Sequence, residues 1–268
     1  MFLVSIQFAD KRENWVCSLG FTERKGKNRC KMGRQEGAKP ALSISLRSIA
    51  PYMSLITTLL IASEIAAPCL LFLRCSQVLP TLSYAAALHG FDRWFAASLA
   101  VISTFWTLLL LCLHPVLSTV WPNSGFWTIS GISMCPLLWT IGVFDQEQGA
   151  RFLRQGQVHE VLSFTCFLLL STWTVFAVEA TARLSLSARE RCWLGRLQRL
   201  LYMALGLGLL AAIESKLAYS VYAGSLWGEN IEAVIEWTAL LATALIPYAW
   251  AQAVPDIHLE LSFSSPQE

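Results

Sequence analysis

The chain has 268 residues, 55% of them hydrophobic and only 14% charged, with a mean hydropathy of +0.50 and a formal net charge of +2. These values lie outside the range of ordinary soluble domains and read as an integral membrane protein. No nucleic-acid partner is expected, because no aromatic residues interleave with the basic ones in a recognisable binding module.

Residues 1–48 come first and hold ten of the 20 Lys and Arg residues. With few apolar residues in periodic array, this segment is expected to be a disordered, basic cytosolic arm that fixes topology and can hold anionic lipid beside the first span. Six apolar blocks follow, at residues 49–73, 94–113, 124–144, 158–178, 197–213 and 231–250. Blocks of this length match what a hydrocarbon core of about 30 Å requires of a helix. An alternating barrel pattern is absent, so helices are the structure able to satisfy the backbone in lipid. The expected fold is all-α: a polytopic six-helix transmembrane bundle over residues 49–255, ending in a short cytosolic tail at 256–268.

Orientation follows from charge, because positive flanks resist translocation. The arm and the loop bearing Arg183, Arg189, Arg191, Arg196 and Arg199 together hold fifteen basic residues, against Arg74, Arg93, Arg151, Arg154 and Lys216 on the other side. Both termini are therefore expected in the cytosol. Eight cysteines without a CxxC pair suggest no disulfide framework, and Cys75 has no evident partner. Trp94, Trp121, Trp127, Trp193, Trp227 and Trp250 read as interfacial aromatic belts. In the fifth block Ala204 and Gly208, four apart, form a small-residue face that lets helices approach closely.

The polar residues gather toward the exoplasmic end. In "GENIEAVIEWTALLATALIPYAW" Glu232 and Glu236 are four apart and share one side of the sixth helix. His159 and Glu160 open the fourth block, His89, Asp92 and Arg93 precede the second, and Glu64 lies in the first at a depth close to that of Glu236. These eight residues are expected to line a polar pocket, with Arg93 and Glu64 close to a Glu236–His159 pair; no comparable set is expected at the cytosolic end. Glu232 is explained most simply as a carboxylate at the positive end of its own helix dipole. Glu64 is not, because an ionised carboxylate deep in a span needs a partner or a proton. His89, Asp92 and His159 have zinc-ligand identities, yet no HxxxH or HExxH pairs them on one helix, so no metal or other cofactor is expected. There is no phosphate loop, GxSxG elbow or kinase signature.

The loop "LPTLSYAAALHGFDRWFAASLA", the histidine opening "QVHEVLSFTCFLLL" and the segment "EAVIEWTALL" resemble the Frag/DRAM/Sfk superfamily, which includes damage-regulated autophagy modulators and the post-GPI-attachment factor involved in lipid remodelling. The resemblance spans residues 49–255; Pro80 and Ser83, His159, and Glu236 with Trp237 match its pieces. The chain departs from it at Leu162 and Ser163, where the family often carries a glycine, and at Glu160. The resemblance implies a non-enzymatic endomembrane protein of the Golgi, endoplasmic reticulum or lysosome, with membrane lipids and other membrane proteins as partners. Two alternatives stay open: a GPI-anchor or lipid remodelling enzyme, and a small-molecule or proton-coupled transporter.

Overall fold

Apolar runs of twenty or more residues can satisfy their own backbone polarity by coiling into helices. The computed structural model describes residues 3–9, 14–19, 42–71, 79, 81, 91–121, 123–143, 157–221 and 226–262. Among them are helices α1 (Leu46–Leu71), α2 (Asp92–Ser118), α3 (Ser124–Val143), α4 (Gln157–Ala182), α5 (Ala188–Val221) and α6 (Leu226–Ala253). Four contain stretches long and apolar enough to cross a membrane: Leu46–Ala67, Arg93–Ser118, Val161–Ala182 and Asn230–Ala253. Helix α3 offers a shorter apolar stretch, Gly125–Ile141. The first turns of α5 carry Arg189, Glu190, Arg191, Arg196 and Arg199, which dilute its apolar run.

Each helix packs on its successor in the chain, and α6 returns to α1, so the six form a closed ring. The exterior stays apolar: Leu70 is 83% exposed, Ile129 71% and Phe126 69%. Bare apolar surface on this scale belongs in hydrocarbon rather than water.

Close helix contact depends on small residues. A Cβ on Gly131 of α3 would lie 2.8 Å from Cε2 of Trp173 in α4, whose indole N–H donates to the Trp127 carbonyl at 2.6 Å. Gly208 of α5 leaves the same kind of space for the Phe167 ring of α4, and Ala204 one turn earlier is buried. Proline interrupts α6 at Pro247, which disturbs the backbone ladder there. The Tyr248 N–H just after it donates to Ser54 Oγ of α1 at 3.1 Å, which gives a buried serine in an apolar helix its purpose.

Where α1 begins and α6 ends, the packing is dense. Leu46, Leu109, Leu113, Leu197, Trp250 and Val254 form the centre of the main core there. Trp250 is fully buried, with its ring 5.8 Å from Trp173 and its indole N–H 3.1 Å from Thr181 Oγ1. It is therefore a core residue and not a member of an interfacial belt.

The same end carries polar groups that the sequence reading did not expect. Arg47 Nη2 lies 2.7 Å from Glu190 Oε1 and donates at 2.7 Å to the Val254 carbonyl, closing the C-terminal end of α6. Glu190 Oε2 accepts from the Ser187 backbone N–H at 2.9 Å while Ser187 Oγ accepts from the Glu190 N–H at 3.3 Å, a reciprocal capping box that starts α5. Ser45 Oγ accepts from the Arg47 N–H at the start of α1 and donates to Asp256 Oδ1.

A four-stranded sheet lies at this end, with strands in the arm that was expected to be disordered and in the short tail, so the fold is mostly helical rather than all-α. Its strands are β1 (Leu3–Ala9), β2 (Asn14–Leu19), β3 (Leu42–Ser45) and β4 (Ile257–Ser262), in the order β2-β1-β4-β3, all pairs antiparallel. The register sets Ile6 opposite both Cys17 and Leu259, and Ile44 opposite Leu259. Apolar positions two apart thus fall in line across all four strands, as the period of a pleated strand requires. Residues 20–41, the most basic part of the arm, lie outside the described residues.

The cysteines also need correction. Cys69, in the last turn of α1, is disulfide-bonded; Cys112, Cys135, Cys166 and Cys192 are free thiols.

Two outcomes are expected. Gly131→Ala forces the Trp173 ring aside and should cost about 1–3 kcal/mol, the usual range for overpacking, whereas Gly195→Ala, with open space around it, should gain about 0.5–1 kcal/mol. Thermal denaturation in detergent reads both signs, and equal effects would contradict the packing described. The second concerns pH. Burial pushes the Glu190 carboxyl up, but hydrogen bonds from Ser187 and the Arg47 guanidinium outweigh it and hold the group below its ordinary 4.5. A carboxyl depressed on folding stabilises fully above its unfolded value and loses that contribution as pH falls through the folded one. Midpoints measured downward from neutral pH should therefore drop below about pH 4.5, and Glu190→Gln should flatten that drop.

Candidate functional site

An apolar helix that carries one carboxylate must supply it with a partner or enclose it. Helix α1 does both with Glu64, two turns after Thr57 and one turn after Ile61 on the same face. Its side chain is 2% exposed, and Oε1 accepts a hydrogen bond of 2.8 Å from Ser98 Oγ, in the second turn of α2. Its Oε2 has no hydrogen-bond partner among the described residues. Beside it, Trp94 of α2 donates from its indole to Ser63 Oγ at 3.2 Å, so two neighbouring contacts tie the beginning of α2 to the end of α1.

Glu64 lines a cavity of about 90 Å³ inside the ring. Helix α1 contributes Thr57 and Ile61, α2 contributes Phe95, Ser98, Leu99 and Trp106, and Leu240, Thr243 and Ala244 close it from α6. Leu138 of α3 and Leu170 of α4 complete the wall. Thr243 Oγ1 is spent on its own helix, donating to the Ala239 carbonyl at 2.9 Å. The site is thus an apolar chamber with one carboxylate oxygen as its strongest polar feature.

A second hollow of about 50 Å³ lies against the first, and Trp106, Leu170 and Thr243 line both. It runs toward the dense end, between Phe167 and Thr174 of α4 and Leu201 and Leu205 of α5. Its lining residues Trp106, Leu201 and Ile246 belong to the main core.

Of the eight expected pocket residues, Glu64, Arg93, Glu232 and Glu236 have described side chains. Glu64 is inside the ring; Arg93, in the first turn of α2, is exposed and not part of the cavity wall. Glu232 and Glu236 are half-buried, each with an interaction of its own, and neither lines the cavity. Since Leu240 does line it, Glu236 stands one turn, or about 6 Å, nearer the start of α6. His89 and the side chains of Asp92, His159 and Glu160 lie outside the described residues, and with them the Glu236–His159 pair. Among the described residues no group of three or more His, Cys, Asp or Glu is placed to hold a metal.

Sequence reasoning missed Ser98, Thr57 and Thr243. A serine or threonine in an apolar run usually bonds back to its own helix, as Thr104, Thr107 and Thr174 do here. Ser98 could have been singled out only by knowing that it faces Glu64. Also missed was His114 of α2, whose Nδ1 lies 2.7 Å from Thr128 Oγ1 and ties α2 to the first turns of α3. Another buried polar atom without a partner, the Trp237 indole nitrogen, lies three residues before Leu240 on the same side of α6.

Half-satisfied burial costs stability, so Glu64→Leu should raise the midpoint of thermal denaturation, by the equivalent of about 1–3 kcal/mol. Ser98→Ala should lower it, because Glu64 then loses its donor while keeping its polarity. A Glu64→Leu variant less stable than the parent would show that the carboxylate is a structural anchor.

No protein-family model matches the chain, and neither a curated protein nor a solved structure is detectably similar to it.

Proposed function

We propose that the chain is a six-span protein of the endomembrane system that handles a lipid or lipid-like amphiphile without chemically converting it. The observation that carries this reading is the chamber: an apolar interior with one buried, half-satisfied carboxylate, inside a ring whose outside is also apolar. Such a surface pair suits a molecule that lives in the bilayer and bears one polar group. The short segments around Pro80, His159 and Glu236 that resemble the Frag/DRAM/Sfk superfamily agree with this reading and would place it in the Golgi, endoplasmic reticulum or lysosome.

Orientation has two supports. Arg183, Arg189, Arg191, Arg196 and Arg199 are exposed around the α4–α5 turn, at the end where α1 starts and α6 finishes, and positive flanks stay cytosolic. The disulfide of Cys69 is at the other end of α1, and disulfides persist in oxidising compartments such as a lumen. Both termini are on the cytosolic side in this reading.

A second reading, proton-coupled transport, is favoured by Glu64 itself, because carboxylates within spans often serve as proton relays. It requires access from both ends, and the dense core around Trp250 stands between the chamber and the arginine-rich end. An enzyme of lipid remodelling would require a reacting group beside Glu64 in the chamber.

A strain lacking the chain, re-expressing tagged wild type or Glu64→Leu, tests the proposal. The expected result is a tag in internal membranes, protease-accessible at both ends from the cytosol, and a redistribution of one lipid class that wild type reverses and Glu64→Leu does not. Unchanged lipid composition, with the protein present in those membranes, would overturn it.

A further inference from the structure

The first turns of α5 run antiparallel beside the last turns of α6, so α6 fixes the level at which each α5 residue stands. Arg189 Nη2 donates to Gln252 Oε1 at 3.3 Å, and the Trp193 ring meets Tyr248 edge-on with centroids 5.3 Å apart. The apolar stretch of α6 runs from Asn230 to Ala253, so Trp193 already lies beside it. Arg196 and Arg199 follow, about 5 and 9 Å further along the helix. Guanidinium groups carried at that depth must turn toward the polar end or meet hydrocarbon. Both turn toward the polar end: Arg196 Cζ sits 4.5 Å over the Trp193 ring, and Arg199 Nε donates back to the Gly195 carbonyl at 3.2 Å.

These contacts leave most of the donors unspent. A cation held over a ring uses its charge, so the N–H edge of Arg196 stays open, and Arg199 keeps both Nη groups. Among the described residues no ion pair involves either arginine; Glu190 is engaged by Arg47 and Ser187, and the exposed Glu179 of α4 is bonded to neither. Further along α5 the same face is apolar. Arg196, Arg199, Met203 and Leu210 are spaced three, four and seven apart and share one outward face. Met203 and Leu210 are exposed, and a Cβ added to Gly206 between them would meet nothing within 4 Å. The face is cationic at its head and bare hydrocarbon beyond.

We infer that this face of α5 seats an anionic glycerophospholipid of the adjoining leaflet, with its phosphate at Arg196 and Arg199 and an acyl chain along Met203, Gly206 and Leu210. Guanidinium groups bind phosphate through paired N–H donors, and each arginine near a membrane surface adds to the attraction for acidic lipid. A zwitterionic lipid brings the same phosphate with a quaternary ammonium beside it, which meets the arginines with like charge. Helix α3 supplies an internal comparison at the same end. Its Phe126 and Ile129 are exposed and apolar, Trp127 between them meets Phe176 late in α4 at 5.4 Å, and no Lys or Arg occurs between residues 94 and 150. The seat is separate from the chamber around Glu64 and does not depend on the lipid-handling reading.

Photo-crosslinking of the purified full-length protein in phosphatidylcholine nanodiscs tests this. Trace probes of phosphatidic acid, phosphatidylserine and phosphatidylcholine carry the same diazirine on the same acyl chain. The measured quantity is the ratio of anionic to zwitterionic crosslinking on residues 200–213, divided by the same ratio on residues 124–132. For phosphatidic acid, phosphatidylserine or both it should be at least about fivefold, the factor that one arginine near a membrane surface provides. Arg196→Gln together with Arg199→Gln should bring it to about one; either change alone should lower it at least about twofold and carries the test if the pair fails to insert. Arg183→Gln together with Arg191→Gln removes the same charge from exposed side chains at this end that make no hydrogen bond or ion pair among the described residues. That pair should leave the quantity within about twofold of wild type. Crosslinking of the phosphatidylcholine probe on residues 124–132 reports in every variant that the ring is intact. A value near one in wild type, or an unchanged value without Arg196 and Arg199, would overturn the inference. An equal fall in both double variants would overturn it too, by showing a diffuse field in place of a seat.

Discussion

The ring closes because α6 comes back to α1, and the guanidinium of Arg47 is the contact on which that closure turns. From the first turn of α1 it reaches the last carbonyls of α6 and the capping glutamate of α5, at 2.7 Å to Val254 and 2.7 Å to Glu190. A C-terminal helix end exposes carbonyls without partners and carries partial negative charge, so a cation there satisfies both needs. Arginine does this with several donors at once, where lysine would offer a single flexible point charge. Glu190 in turn is oriented by Ser187, which starts α5. One side chain therefore fixes three helix ends, and the tight Trp250–Thr181 contact between α6 and α4 follows from that placement.

The two ends of the ring are packed differently. Around Trp250, large side chains fill the interior and the helices touch across it. Around Glu64, the second and smaller cluster has Phe95 as its only fully buried hydrophobic residue among the described ones, with Ile65, Leu99 and Leu240 packed on it. The chamber lies where the packing thins. Pro247 marks the change along α6: the helix loses a backbone bond there, and Ser54 of α1 replaces it. Such exchanges let a helix bend within a membrane without exposing polar backbone to lipid.

The helices were legible in the sequence because their signal is long and local. Apolar runs and their polar breaks placed six segments, and the observed helices overlie them, extended at ends where charged residues such as Arg189 and Glu190 continue the helix more than two turns beyond the apolar stretch. The strands were legible in principle: Val4, Ile6 and Phe8, and Ile257, Leu259 and Leu261, alternate as strands do. The charge of residues 20–41 and the shortness of the tail hid that alternation, since a strand of six residues gains stability only from partners far along the chain. Trp250 was unreadable for the same reason. Its position near the end of an apolar run suits a belt or a core equally, and only the neighbour Trp173 decides between them.

The site shows the same limit in a sharper form. Glu64 could be found from sequence because a carboxylate in an apolar helix is anomalous whatever surrounds it. Its partner could not, since Ser98 is one hydroxyl among many on α2, and the charge that looked complementary, Arg93, turns out to be exposed. The comparison with Glu190 shows what the anomaly means. Both carboxylates are largely removed from solvent; Glu190 has donors for both of its oxygens, from Arg47 and from Ser187, as a structural group requires. Glu64 has a donor for one. Since a hydrophobic residue of similar size would fit an apolar chamber at lower cost, a carboxylate held there by a single serine is suited to an encounter with something the chain itself does not contain.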